Sequence, residues 1–204
     1  MIKSLFLSVM LLTCLSAFSQ DSKTCRAKKS SEIIKVFDKG MVLNDKFKKS
    51  VGGPDKDEYQ RLRKEIELYD EEVVMPCVRR ASQLMAKHAD TVLMHKLMEL
   101  AISHENSADE TISYAMGKLF AANPATVERA LKEFPINGRK LIAGSVQTGW
   151  INVKTELSPT LSKSRDERLK RLLSSVNNAG SVPSSGAGKD SSLPNVSHKK
   201  STPR

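Results

Sequence analysis

Aromatic residues are scarce. They make up 5% of the chain, with one Trp, three Tyr and six Phe. Single nucleic-acid strands are held by bases stacking on such rings, so the scarcity argues against nucleic acid as a partner. Histidine is also rare. His88, His95, His104 and His198 form no HExxH pair and no Cys/His cluster of zinc-site spacing. There is no GxSxG elbow and no glycine loop of the kind that cradles phosphate. The carboxylates Asp70-Glu71-Glu72 and Asp109-Glu110 are neighbours within one helical turn, so they do not face one another across a substrate. No cofactor is implied, and the chain reads as non-enzymatic. Past residue 15 no apolar run is long enough to cross a membrane.

What is present begins with a leader. Lys3 is followed by an apolar run over 5–15 and then by Ser16-Ala17-Phe18-Ser19. This is the pattern of a secretory signal peptide, with cleavage expected near Ser19 and a secreted or periplasmic product. A lipoprotein leader ending at Cys14 is the rival, disfavoured by Thr13 beside the cysteine. Cleavage leaves two cysteines, Cys25 and Cys77, expected to pair in an oxidising compartment. Their bridge would be worth roughly 3–4 kcal/mol in the chain-entropy model.

Charge is uneven. The protein carries a formal net charge of +10. Residues 23–49 and 154–204 each contribute +6, whereas 50–153 carries −2. Basic ends outside the cytoplasm point to an anionic membrane or wall surface, or to an acidic protein.

The expected fold is all-α: an irregular bundle or a HEAT-like stack of antiparallel helical hairpins, with a disordered C-terminal tail. The expected organisation is a signal peptide over 1–19, a basic lead over 20–30 and a helical domain over 31–153. A basic linker with a short amphipathic helix follows over 154–176, then a disordered tail over 177–204. Ser30 or Ser31 should cap a first helix, which Gly40 and Asn44-Asp45 threaten to split. Tyr59, Leu62, Ile66, Tyr69 and Val73 form a short coiled-coil-like seam, which Met75-Pro76 should kink or end. The stretch 91–153 reads as four helices with short turns. Asp90 and Asn123-Pro124 mark two of their starts, Ile136-Asn137-Gly138 is a turn, and Arg139 opens the last helix. Gly144 and Ser145 would let another helix approach closely. The helix from Thr91 is apolar on nearly every side, as a central core helix should be.

Few residues suggest chemistry. Met94, His95 and Met98 share one helical turn, and thioether with imidazole suits Cu(I); methionine at that spacing also simply fills a core. Trp150 reads either as a core plug or as an interface anchor. Arg165, Arg168, Lys170 and Arg171 lie on the amphipathic helix over 165–176, which either packs back on the domain or docks elsewhere. Asn195-Val196-Ser197 is a glycosylation sequon. In outline the chain is similar to small helical periplasmic immunity proteins. That likeness rests on a signal peptide, two cysteines and a helical body, and it implies capture of a secreted toxin. The expected function is therefore a secreted helical protein-binding module. An envelope-associated protein held by its basic ends and a helical enzyme or copper carrier are the alternatives. Oligomeric state is left open.

Overall fold

The computed structural model describes residues 24–105 and 110–179. The expected leader, the tail beyond residue 179, the sequon and residues 106–109 lie outside the described residues. The chain runs α1 (Ser30–Ser50), α2 (Lys56–Tyr69), a π-helical turn (Asp70–Val74), α3 (Met75–Lys87), α4 (Thr91–Ser103), α5 (Thr111–Ala122), α6 (Pro124–Leu131), α7 (Ile136–Val153), a 3₁₀ turn (Lys154–Glu156) and α8 (Pro159–Asn178). The architecture is an irregular all-α bundle.

α4 is the hub. It contacts α1, α3, α5, α6 and α7, and it buries Leu93, Met94, Leu97, Met98, Leu100 and Ala101. A helix with neighbours on most sides needs apolar residues on most sides, as its sequence shows. Its start is fixed by Asp90, whose carboxylate accepts the Leu93 N–H at 2.9 Å. Asn123 does the same for α6, accepting the Thr126 N–H at 3.2 Å, and Pro124 occupies the first turn, where no donor is required.

Several local readings are corrected by tertiary contacts. Neither Ser30 nor Ser31 caps α1; the Glu32 carboxylate turns back to accept the Lys28 N–H at 2.7 Å. α1 is not split. Gly40 is buried where Val74 approaches, and a Cβ there would sit 3.0 Å from the valine methyl. Asn44 is buried too, and its amide donates to the Ser103 carbonyl and hydroxyl at the end of α4. Both helix-weakening residues are contact points, and the contacts outweigh the propensity loss of under about 1 kcal/mol each. The seam helix does break near Met75-Pro76, but earlier than expected: it ends at Tyr69, a π-helical turn follows, and Pro76 sits in the first turn of the next helix. The Met75 N–H bonds the Asp70 carbonyl, five residues back, and this wider turn admits the proline ring as α3 begins.

Ile136, Asn137 and Gly138 are not a turn but the first turn of α7, where Gly138 packs on Ile102 and Phe134. The linker helix is longer than expected and belongs to the body: α8 buries Leu169, Leu172 and Val176 in the common core.

The tightest crossing joins α5 to α7. Gly117 and Gly149 are buried, and the Ser113 and Ser145 hydroxyls bond at 3.1 Å. A Cβ on Gly117 would stand 2.7 Å from the Trp150 nitrogen, and one on Gly149 would overlap the Ser113 carbonyl. Each helix therefore presents a small residue four positions from another, Ser113 and Gly117 against Ser145 and Gly149, so the backbones meet directly. Gly144 does not take part; nothing lies within 4 Å of a Cβ built there.

The cysteine pair is bridged. Cys25 and Cys77 are 4.7 Å apart at Cα and 52 positions apart in sequence. The bridge fixes the extended lead to the first turn of α3.

Candidate functional site

A groove lies where α6, the start of α7 and α8 converge, with a volume of about 660 Å³. Its floor is apolar: Leu131 from α6 and Leu172 and Val176 from α8. Its rim carries four cations, Lys132, Arg139, Arg168 and Arg171, against one carboxylate, Glu128.

Two of these cations are structural. The Arg168 guanidinium donates to both Glu128 oxygens, at 2.6 and 2.7 Å, and this fork joins α8 to α6. The same pairing, through the hydrogen bond first, raises the arginine above its already high ordinary pKa. Arg139 donates to the Phe134 and Lys132 carbonyls at 2.6 and 2.7 Å, filling acceptors left free past the end of α6. Lys132 and Arg171 are exposed and make no ion pair among the described residues. They supply the uncommitted charge of the rim.

α8 is held in place by three polar links. Beyond Arg168, Arg165 donates to the Ala121 carbonyl at 3.1 Å at the end of α5. Trp150 donates its indole N–H to Asp166 at 2.6 Å. Trp150 is thus not an interface anchor. It is 2% exposed and meets Phe120 edge-to-face at 5.9 Å, so its large ring fills the core while its one polar atom is satisfied. Arg165 is half-buried and committed to the body, whereas Lys170 and Arg171 face solvent.

The copper candidates are not brought together. Met94 and Met98 lie in the core at 2% and 0% exposure. His95 sits at the surface, stacked on Phe134 at 4.3 Å. Its ring nitrogens lie 3.2 Å from Glu99 and 3.6 Å from Glu133, so its polar atoms are directed at carboxylates. Among the described residues no group of three His, Cys, Asp or Glu is arranged to hold a metal ion.

One buried polar pair was not foreseen. His104 faces the Leu100 carbonyl through Nδ1 at 3.1 Å and Asp70 through Nε2 at 3.2 Å. It joins the end of α4 to the π-helical turn. No periodicity connects residues 70 and 104, so only the fold reveals it. The groove was equally hidden: Glu128 and Arg168 are forty positions apart. The basic face of α8 was the one local signal pointing to it.

The chain matches no family model, no curated protein and no solved structure. The functional reading rests on the geometry.

Proposed function

We infer that the protein is a non-catalytic binding module whose groove between α6, α7 and α8 takes an acidic, partly apolar segment of a partner protein. The observation that carries this reading is the combination of an apolar floor with the uncommitted cations Lys132 and Arg171 on the rim. An apolar floor rewards burial of side chains such as Leu or Ile, at roughly 25 cal/mol per Å² removed from water. A cationic rim steers carboxylates towards it and rejects basic segments. The internally satisfied fork of Arg168 with Glu128 keeps the two groove walls fixed before a partner arrives, which lowers the ordering cost of binding. Neutralising a secreted toxin is one concrete form of such capture, and export through the expected leader would place the module where such a partner is met.

The test uses a photo-crosslinking side chain at the exposed Ser175 in the groove wall, with the source organism's native extract. A partner with an acidic segment should crosslink there, and the yield should fall at least tenfold in Lys132→Glu/Arg171→Glu. Capture that survives these charge reversals would refute the groove as the binding site.

A further inference from the structure

α1 carries a second surface, on the side away from the core. At 100° per residue, Lys35, Lys39, Val42, Lys46 and Lys49 fall within an arc of about 80°. The buried residues Ile33, Phe37, Gly40 and Asn44 cluster on the opposite side, and buried Leu43 bounds the arc beside Lys39. All five arc residues are exposed, Val42 at 53%. From the first lysine to the last the ridge runs about 21 Å along the helix axis.

Some lysines elsewhere on the body are committed to partners. Lys96 is paired with Glu99 and Asp38, and Lys118 with Glu156. Lys48, on the same helix but off the arc, donates to the Ser103 carbonyl at 2.8 Å. None of the four arc lysines has a carboxylate within ion-pair distance among the described residues. Lys39 lies over the Tyr69 ring at 4.6 Å, a cation–π contact and not an ion pair. Of the nearby carboxylates, Asp38 is engaged by Lys96 and Glu58 by Arg61, whereas the exposed Asp45 of α1 itself offsets part of the ridge's charge.

We propose that this ridge seats the protein on an anionic phospholipid bilayer. A row of ammonium groups without carboxylate partners suits a plane of phosphates, which demands charge but no fixed hydrogen-bond geometry. Val42 lies between the two lysine pairs, where it can enter the headgroup layer while the ammoniums stay at its surface. An acidic polysaccharide fits less well. Its hydroxyls call for paired donors and acceptors and for aromatic faces, and the arc has lysines and a valine. This surface is separate from the groove and does not depend on it.

The test is cosedimentation of the full protein with vesicles of phosphatidylcholine, with and without phosphatidylglycerol. Binding should require phosphatidylglycerol and weaken as salt is added. At about fivefold per lysine, the variant with Lys35, Lys39, Lys46 and Lys49 each changed to Gln should bind more than a hundredfold more weakly. The same four changed to Arg should bind like the parent. A control with Lys64, Lys87, Lys140 and Lys170 changed to Gln removes the same charge elsewhere and should lose less than tenfold. Equal losses in the two Gln sets would show that net charge alone acts, and would overturn the assignment. So would absence of phosphatidylglycerol-dependent binding, or retention on an acidic polysaccharide without binding to vesicles.

Discussion

Two glycines of α7, five residues apart, should respond to the same substitution with opposite signs. Gly144 is exposed and a Cβ there meets nothing within 4 Å. Gly144→Ala therefore gains only helix propensity, about 0.5–1 kcal/mol. Gly149 is buried, and its Cβ would overlap the Ser113 carbonyl and stand 2.9 Å from the Gly117 nitrogen. Both obstacles are backbone atoms of α5, so no side chain can rotate away. α5 and α7 must separate by more than an ångström. That loosens the Ser113–Ser145 bond and the packing of Phe120 on Trp150 beside it. Overpacking of this kind costs roughly 1–3 kcal/mol and occasionally more; as rigid backbone is struck, we expect about 3 kcal/mol after the propensity gain is subtracted. The two variants should thus differ by about 4 kcal/mol. For a domain of this size that is a gap of roughly 8–16 °C in Tm. Urea unfolding of parent and both variants, followed by helical circular dichroism and by Trp150 fluorescence with the disulfide intact, measures it. A Gly149→Ala protein as stable as the parent would refute the direct backbone contact.

Three other outcomes are expected. Reducing the Cys25–Cys77 bridge, or replacing both cysteines with Ser, should lower stability by about 4 kcal/mol for a loop of this length, and reduction should add two mass units to the intact protein. Asp166→Ala should cost about 1–3 kcal/mol by leaving the buried Trp150 indole N–H unpaired, while Asp166→Asn, which retains an acceptor oxygen, should cost less by the same unfolding assay. Glu32 is held below the ordinary value of 4.5 chiefly by the Lys28 and Lys29 amides, Glu58 by Arg61, and Glu156 by the Tyr114 hydroxyl and then Lys118. Depressed carboxyls stabilise the fold above their unfolded value, and that contribution disappears as pH falls through the lower folded value. The parent should therefore lose stability below about pH 4.5, and Tyr114→Phe should flatten that loss in a pH series of thermal melts.

The features legible in the sequence were those with a local cause. A cap needs only its own turn, so Asp90 and Asn123-Pro124 marked α4 and α6 correctly. A helix surrounded by others must be apolar all round, so α4 was recognisable as the centre. The two cysteines beyond the expected leader could pair with each other in only one way. The features that escaped depend on distant partners. Gly40 and Asn44 look like breaks until Val74 and Ser103 are placed against them. Gly117 and Gly149 look like ordinary weak helix positions until the two backbones cross, and Gly144, beside Ser145, drew the attention they should have had. Trp150 carries the same composition signal whether it plugs a core or anchors a partner; Phe120 and Asp166 decide between them. The basic face of α8 was visible, but not the groove it walls, because Leu131, Lys132 and Arg139 come from other elements.

The disulfide has a topological consequence. Residues 25–77 form a covalent ring that contains the whole of α1 and α2. The exposed Val51, Gly52, Gly53 and Pro54 lie on that ring, between the two helices. A protease cutting there opens the ring without dividing the molecule: the piece bearing α1 stays bonded through Cys25 to the rest. In an oxidising compartment the lysine ridge and the groove would remain on one molecule after the chain had been cut, and only a reductant would separate them.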